Sequence, residues 1–164
     1  MIVVADTSVI LNLCKVGHEH LLPTLFKEVW IPEAVRREFS RLSQAQPRFD
    51  GIALPAWAMV SPMAVIPSEV ASQPGLHACE AAALALAITK HADAILMDEA
   101  AGRRAARTLG ITVIGVLGVL LQAKRAGLIS EIKPVLNRLE VEAGFWLSAS
   151  VVQQALLQAG EQPD

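Results

Sequence analysis

The sequence predicts an α/β protein: three layers, α/β/α, around a central parallel sheet of four to five strands. Two observations carry this. Short apolar runs recur along the chain, each followed by a helical stretch, and a repeating strand–helix order calls for parallel strands covered by helices on both faces. Two of those runs end directly on an aspartate, at the carboxyl edge where an open α/β sheet binds its ligands.

Ile2-Val3-Val4-Ala5 is a continuous apolar run with two β-branched valines, as in a strand buried on both faces. Asp6-Thr7-Ser8 supplies capping side chains, and SVILNLCKVG reads as a helix that stops at Gly17. A second strand is expected over 28–31. Pro32 then stands at a helix-opening position, with PEAVRREFSRL as the helix. Pro47, Pro55, Pro62, Pro67 and Pro74 make 43–75 a loop-rich connection, with one strand expected over 57–60. HACEAAALALAITKHA, from His77, is a helix by its alanine and leucine content. AILM (94–97) is a short buried strand ended by Asp98. EAAGRRAARTLG follows as a helix terminated by Gly110, TVIG as a strand, and VLGVLLQAKRAG as a helix stopped by Gly127. Two more helices are expected over 131–142 and 149–159. There is no internal repeat.

A chain of 164 residues suits one domain with a substantial core, here 1–164, the helices from about 131 extending it. With 53% hydrophobic and 18% charged residues the chain is globular and not disordered. No apolar run of membrane-spanning length escapes interruption by charge or proline, so no membrane association is expected. MIVVADTS lacks a basic leader and reads as a strand, not a secretory signal. Cys14 and Cys79 are too few and too isolated for a disulfide framework or a zinc site. Free thiols in a reducing cytoplasm are the expectation. The net charge of −2 does not by itself favour a polyanionic partner, but bases cluster locally at Arg36, Arg37 and Arg41 and at Arg103, Arg104 and Arg107.

The acids carry the chemistry. Asp6 and Asp98 each follow an apolar strand and are delivered to one sheet edge, and Glu80 lies near the start of a helix that approaches the same edge. Taken singly, Asp6 and Asp98 could cap helices and Glu80 could complement a helix dipole. Three converging carboxylates, however, repel one another unless a cation stands between them, and Mg²⁺ or Mn²⁺ suits an all-oxygen set completed by water and phosphate.

Several segments together resemble the PIN (PilT N-terminal) domain family, and within it the VapC-like toxins of prokaryotes. They are V-A-D-T-S-V-I-L-N-L, I-P-E-A-V-R-R-E-F, C-E-A-A-A-L-A-L-A and I-L-M-D-E-A-A-G-R-R-A-A-R-T-L-G-I-T-V-I-G, with G-F-W-L-S near the end. The resemblance spans nearly the whole chain. It implies a metal-dependent endoribonuclease with Asp6, Glu80 and Asp98 as its core acids and Mg²⁺ or Mn²⁺ as cofactor. It also implies a supporting Ser8, its hydroxyl bonded to Asp6 or to a water near the metal. Many relatives carry a further acid two residues after the position of Asp98. Here that residue is Ala100, so either the site lacks a fourth carboxylate or Glu99 stands in; the structural alternative for Glu99 is an i,i+4 pair with Arg103. The residue before Glu80, often glycine in relatives, is Cys79. Glu38, on the helix after I-P-E-A-V, is a further acid of the subgroup that could reach the same edge.

A nuclease of this kind needs no covalent intermediate. The acids hold the cation, a nearby water is acidified, and charge on the scissile phosphate is offset. Losing Asp6 or Asp98 is then expected to stabilise the metal-free protein by relieving repulsion. Arg36, Arg37, Arg41, Arg103, Arg104 and Arg107 are candidate RNA phosphate contacts, solvated helix faces being the alternative. The absence of tyrosine and the 4% aromatic content leave few stacking platforms, so recognition by RNA backbone shape, or of a folded target such as a tRNA, is expected. The resemblance further implies a cognate antitoxin and a homodimer, with an apolar antitoxin segment in a groove and a basic side chain among the acids. The competing functions are a PIN-like binding module without catalysis and a metal-dependent DNA nuclease or phosphatase. His18 and His20 lack a third zinc ligand nearby. His77 shares a face with Glu80. Gly115-Val116-Leu117-Gly118 lacks the dinucleotide fingerprint, and Asp6-Thr7-Ser8 lacks the second aspartate of haloacid-dehalogenase phosphatases.

Overall fold

Alternate burial along the first strand sets the layers of the protein. In the computed structural model, which describes residues 1–62 and 65–163, Val3 and Ala5 of β1 (Ile2–Ala5) enter one apolar cluster and Val4 enters another. β4 (Ala94–Leu96) divides in the same way: Ala94 and Leu96 join the first cluster, Ile95 the second. Strands buried on both faces must read as unbroken apolar runs, which is why IVVA and AILM show no polar alternation.

Three further strands complete a five-stranded, all-parallel sheet: β2 (Glu28–Pro32), β3 (Met59–Ser61) and β5 (Val113–Ile114). Its order is β3-β2-β1-β4-β5, with Val3 opposite Val29 on one side and Val4 opposite Ile95 on the other. The chain leaves β1 toward β2 and β3, then returns to β4 and β5 across the other edge of β1. Strand order therefore reverses between β1 and β4, and the crevice beyond their carboxyl ends is where such sheets bind ligands.

Helices cover both faces, in the expected three-layer α/β/α arrangement. The first cluster draws on α1 (Thr7–Lys15), α2 (Leu21–Leu25), α3 (Glu33–Ala45), α7 (Val116–Arg125), α8 (Lys133–Ala143) and α9 (Ala149–Gln158). The second draws on α4 (Ser68–Ala71), α5 (Ala78–Thr89) and α6 (Ala100–Thr108). In α5 the consecutive residues Ala83, Leu84, Ala85, Leu86 and Ala87 are all buried, so this helix is enclosed on several sides. Val135, Leu139 and Leu156 place the two C-terminal helices on the same core as Val3 and Val9. Among the described residues, no helix is long and apolar enough to cross a membrane.

The expected elements are present with shifted ends. The strand anticipated over 57–60 begins at Met59, where register with Trp30 allows pairing, and it is the exposed edge of the sheet. Within the 43–75 connection a 3₁₀ turn at Pro47–Phe49 seats Phe49 in the core, and α4 follows. Residues 63 and 64 of that connection lie outside the described residues. α2 and α4 escape sequence reading, because four or five residues carry no readable period.

The C-terminal segment is fastened by one acid. Glu161, its side chain 9% exposed, accepts from the Ile132 N–H at 2.8 Å, the Lys133 N–H at 3.1 Å and Lys124 Nζ at 2.9 Å. It thereby caps α8 from elsewhere in the chain. Burial pushes the Glu161 carboxyl up, but these donors outweigh it and hold it below the usual carboxylate range. A depressed value gives stability that is present above the ordinary value of 4.5 and lost as pH falls through the folded one. Glu161→Gln is expected to cost about 1–3 kcal/mol at pH 7. Thermal melts should show the deficit shrinking toward zero below about pH 4.

Candidate functional site

The crevice at the reversal point is acidic because of where the strands stop. Asp6 follows Ala5 directly, and its N–H donates to Leu96 O at 2.9 Å, tying it to the end of β4. Ser8 comes two residues later, in the first turn of α1, and Glu80 sits in the first turn of α5. Asp6, Ser8, Glu38, His77, Cys79, Glu80 and Glu99 line one cavity of about 200 Å³. Asp6 is 4% and Glu80 5% exposed.

Asp6 Oδ1, Ser8 Oγ and Glu80 Oε2 are buried and have no partner among the described residues. One such oxygen costs on the order of 1–3 kcal/mol when nothing pairs with it, and here three share one cavity. Burial, opposed by the Thr7 N–H and reinforced by Glu38, Glu80 and Glu99, raises the Asp6 carboxyl from 3.8 to about 7. Glu80 is also raised, chiefly by burial and then by Glu99 and Glu38, against a lowering influence from His77. A buried, electronegative, under-satisfied cavity of hard oxygens fits a small divalent cation bound through Asp6 and Glu80, with water and phosphate completing its shell.

The three expected core acids do not all meet. Asp98 lies at the end of β4 as anticipated, but it does not line this cavity. Its carboxylate turns toward α7 and accepts from the Val116 N–H at 3.2 and 3.3 Å. Gly115 makes room for this, since a Cβ there would overlap Asp98 Oδ1 and approach Arg103 Nη1 within 2.8 Å. Burial raises the Asp98 carboxyl, while the Val116 N–H and Arg103 lower it. Among the described residues no three His, Cys, Asp or Glu side chains stand in position to hold a metal. Of the three expected core acids, Asp6 and Glu80 face the cavity, and Asp98 caps a helix beside it.

Glu99 and Glu38 are closer to the cavity than Asp98. Glu99 is not paired with Arg103, whose Nη1 donates instead to Met97 O at 3.1 Å. Glu38 accepts from Thr7 Oγ1 at 2.6 Å, joining α3 to α1 at the cavity wall. From sequence Thr7 reads only as a capping residue; its link to Glu38 comes from the packing of α1 against α3. Ser8 Oγ does not bond Asp6 here. His77 stands at the N-cap of α5 on the cavity rim. Cys79 leaves α5 regular, its thiol donating to Ala34 O at 3.4 Å.

The arginines fall elsewhere. Glu33 pairs with Arg36, and with Arg37 at 3.4 Å; Arg41 lies 4.0 Å from Glu38. Arg103 reaches back beside Asp98, while Arg104 and Arg107 are exposed on α6. None of these six lines the acidic cavity. The rings of His18 and His20 lie 5.8 Å apart with no third ligand among the described residues.

A family model described as a PIN domain matches residues 2–161. The chain belongs to the PIN domain family. No curated protein matches its sequence. PIN domains are generally nucleases that use divalent metals and bind nucleic acid. In this PIN domain the residues that could hold the metal are Asp6 and Glu80, with Ser8, Glu38 and Glu99 on the same cavity.

Proposed function

We propose that this PIN domain is a metal-dependent endoribonuclease that holds Mg²⁺ or Mn²⁺ through Asp6 and Glu80 and acts as the toxin of a toxin–antitoxin pair in the cytoplasm. The observation that carries the proposal is the trio of unpartnered buried oxygens, Asp6 Oδ1, Ser8 Oγ and Glu80 Oε2, on one cavity at the carboxyl edge. When bound, such a cation acidifies water and offsets charge on the scissile phosphate. Asp6 and Glu80 supply the negative charge that retains it, Ser8 offers a hydroxyl to a water or phosphate oxygen, and Glu38 and Glu99 deepen the negative field. Thr7 orients Glu38 by their hydrogen bond. With its carboxyl raised to about 7, mainly by burial, Asp6 holds a proton in part of the metal-free molecules at neutral pH, so cation uptake releases a proton and tightens as pH rises.

Two surfaces support the partner part of the proposal. An apolar cavity of about 290 Å³, lined by Pro32, Ala34, Ile66, Ala81 and Leu86, lies along α5 and would receive an apolar antitoxin segment. Val151 and Leu157 on α9 are exposed apolar residues suited to a homodimer contact. The helix-capping position of Asp98 favours one competing function, a PIN-like module that binds RNA without cutting it.

Cleavage of structured and single-stranded RNA, with Mn²⁺, Mg²⁺ or EDTA, tests the proposal. Metal-dependent cuts that vanish in Glu80→Gln support it. RNA binding without cleavage under any metal supports the non-catalytic module. Cleavage of DNA in preference to RNA overturns the ribonuclease assignment.

A further inference from the structure

A second groove, of about 350 Å³, opens from the acidic cavity; Ser8, Leu42 and Glu99 line both. Arg48 and Phe49 come from the 3₁₀ turn, and Phe145 and Trp146 from the segment after α8. Gly144 leaves α8 with φ 68°, and a Cβ there would lie 2.8 Å from Arg48 Nη1. Glycine therefore serves twice, permitting the left-handed turn and leaving space for the guanidinium. Arg48 Cζ sits 5.0 Å from the centroid of Phe49, a ring fixed in the core, so the cation is anchored although it is exposed.

Two features distinguish this groove. Trp146 is 74% exposed, the one aromatic side chain among the described residues that is mostly open to solvent. Arg48 has no salt-bridge partner among the described residues, whereas Arg36, Arg37 and Arg41 each have a glutamate. An exposed π-face beside an uncompensated guanidinium matches the two recurring parts of a single nucleic-acid strand, a base and a phosphate. An apolar protein segment fits this groove poorly, because Asn12, Gln46, Asp98 and Glu99 also line it.

We propose that Trp146 and Arg48 form a nucleotide subsite beside the acidic cavity, Trp146 stacking on an unpaired RNA base and Arg48 contacting a neighbouring phosphate. The subsite rests on the ribonuclease function proposed above, for which it names a substrate class: RNA with an unpaired segment at the cut. One exposed tryptophan suffices for this, despite the low aromatic content.

The test uses the full chain and a short fluorescein-labelled single-stranded RNA, with its duplex and its DNA counterpart as controls. Anisotropy in EDTA reports binding, and Mn²⁺-dependent cleavage reports KM and kcat. Trp146→Ala should weaken single-strand binding about tenfold and raise KM by a similar factor with kcat nearly unchanged, and Trp146→Phe should restore most of the loss. Arg48→Gln should weaken binding and lower the slope of log affinity against log salt by roughly 0.7. Duplex binding should not respond to Trp146→Ala. Loss on RNA and DNA strands alike assigns the contacts to base and phosphate; loss on RNA alone adds the ribose. Unchanged single-strand affinity in Trp146→Ala overturns the subsite while leaving the nuclease intact. So does a shift from dimer to monomer at unchanged affinity, which would assign the ring to a protein interface. If the wild type neither binds nor cuts any nucleic acid, the ribonuclease function itself fails.

Discussion

Asp6→Asn is expected to abolish divalent-cation binding and RNA cleavage while raising the melting temperature of the metal-free protein at pH 8. The sign follows from the carboxyl, raised from 3.8 to about 7 by burial first and by Glu38, Glu80 and Glu99 after it. The folded protein holds this proton more tightly than the unfolded chain does. Stability therefore falls as pH climbs from about 4 to 7, and the whole penalty is present above that. Fully expressed, it would amount to about 4 kcal/mol; water in the cavity reduces it, so a gain of roughly 3–8 °C is expected. The gain should have all but vanished at pH 4, where the folded carboxyl is protonated and the unfolded one about half so. Saturating Mn²⁺ should reverse the order, because the wild type then gains binding energy that the variant lacks. Melts at pH 4 and pH 8, with and without Mn²⁺, check all three statements. A variant less stable than wild type at pH 8 in EDTA would show that Asp6 is a structural acid.

Asp98 is expected to behave in the opposite way. The sequence alone suggests that its removal relieves repulsion, but its carboxylate accepts the Val116 N–H and faces Arg103. Asp98→Ala leaves that N–H at the start of α7 without its acceptor, at a cost of about 1–2 kcal/mol. Asp98→Asn keeps an acceptor and drops a charge that burial already disfavours, so its stability should remain near that of wild type. If Asp98 also serves the metal site, as the family resemblance implies, Asp98→Asn should lose metal affinity or cleavage by about ten- to hundredfold while melting normally. Wild-type cleavage in Asp98→Asn would confine Asp98 to capping α7.

The fold was legible where the physics is local and repetitive. IVVA and AILM announce doubly buried strands, and the glycines that close α1, α6 and α7 mark helix ends. Short elements were not legible: α2 and α4 owe their form to packing of Leu21, Leu22 and Val70 rather than to any period. The acidic edge was legible from two aspartates placed directly after strands. What sequence could not give was side-chain direction. Asp98 and Glu99 are adjacent, yet Asp98 turns to α7 and Glu99 lines the cavity, a choice governed by the space Gly115 leaves and by Arg103. Charge runs were equally ambiguous. The paired Arg36 and Arg37 looked like phosphate contacts, whereas Arg48, isolated in sequence, lies in the groove that adjoins the acids.

Calorimetric titration of Mn²⁺ into the metal-free protein at pH 8, alongside Asp6→Asn and Glu80→Gln, asks whether these two carboxylates hold the cation. Saturable binding is expected in the wild type, with proton release larger at pH 7 than at pH 8, and no binding in either variant. Absence of binding at millimolar Mn²⁺ in a folded wild-type protein, or equal binding in all three, would contradict that role.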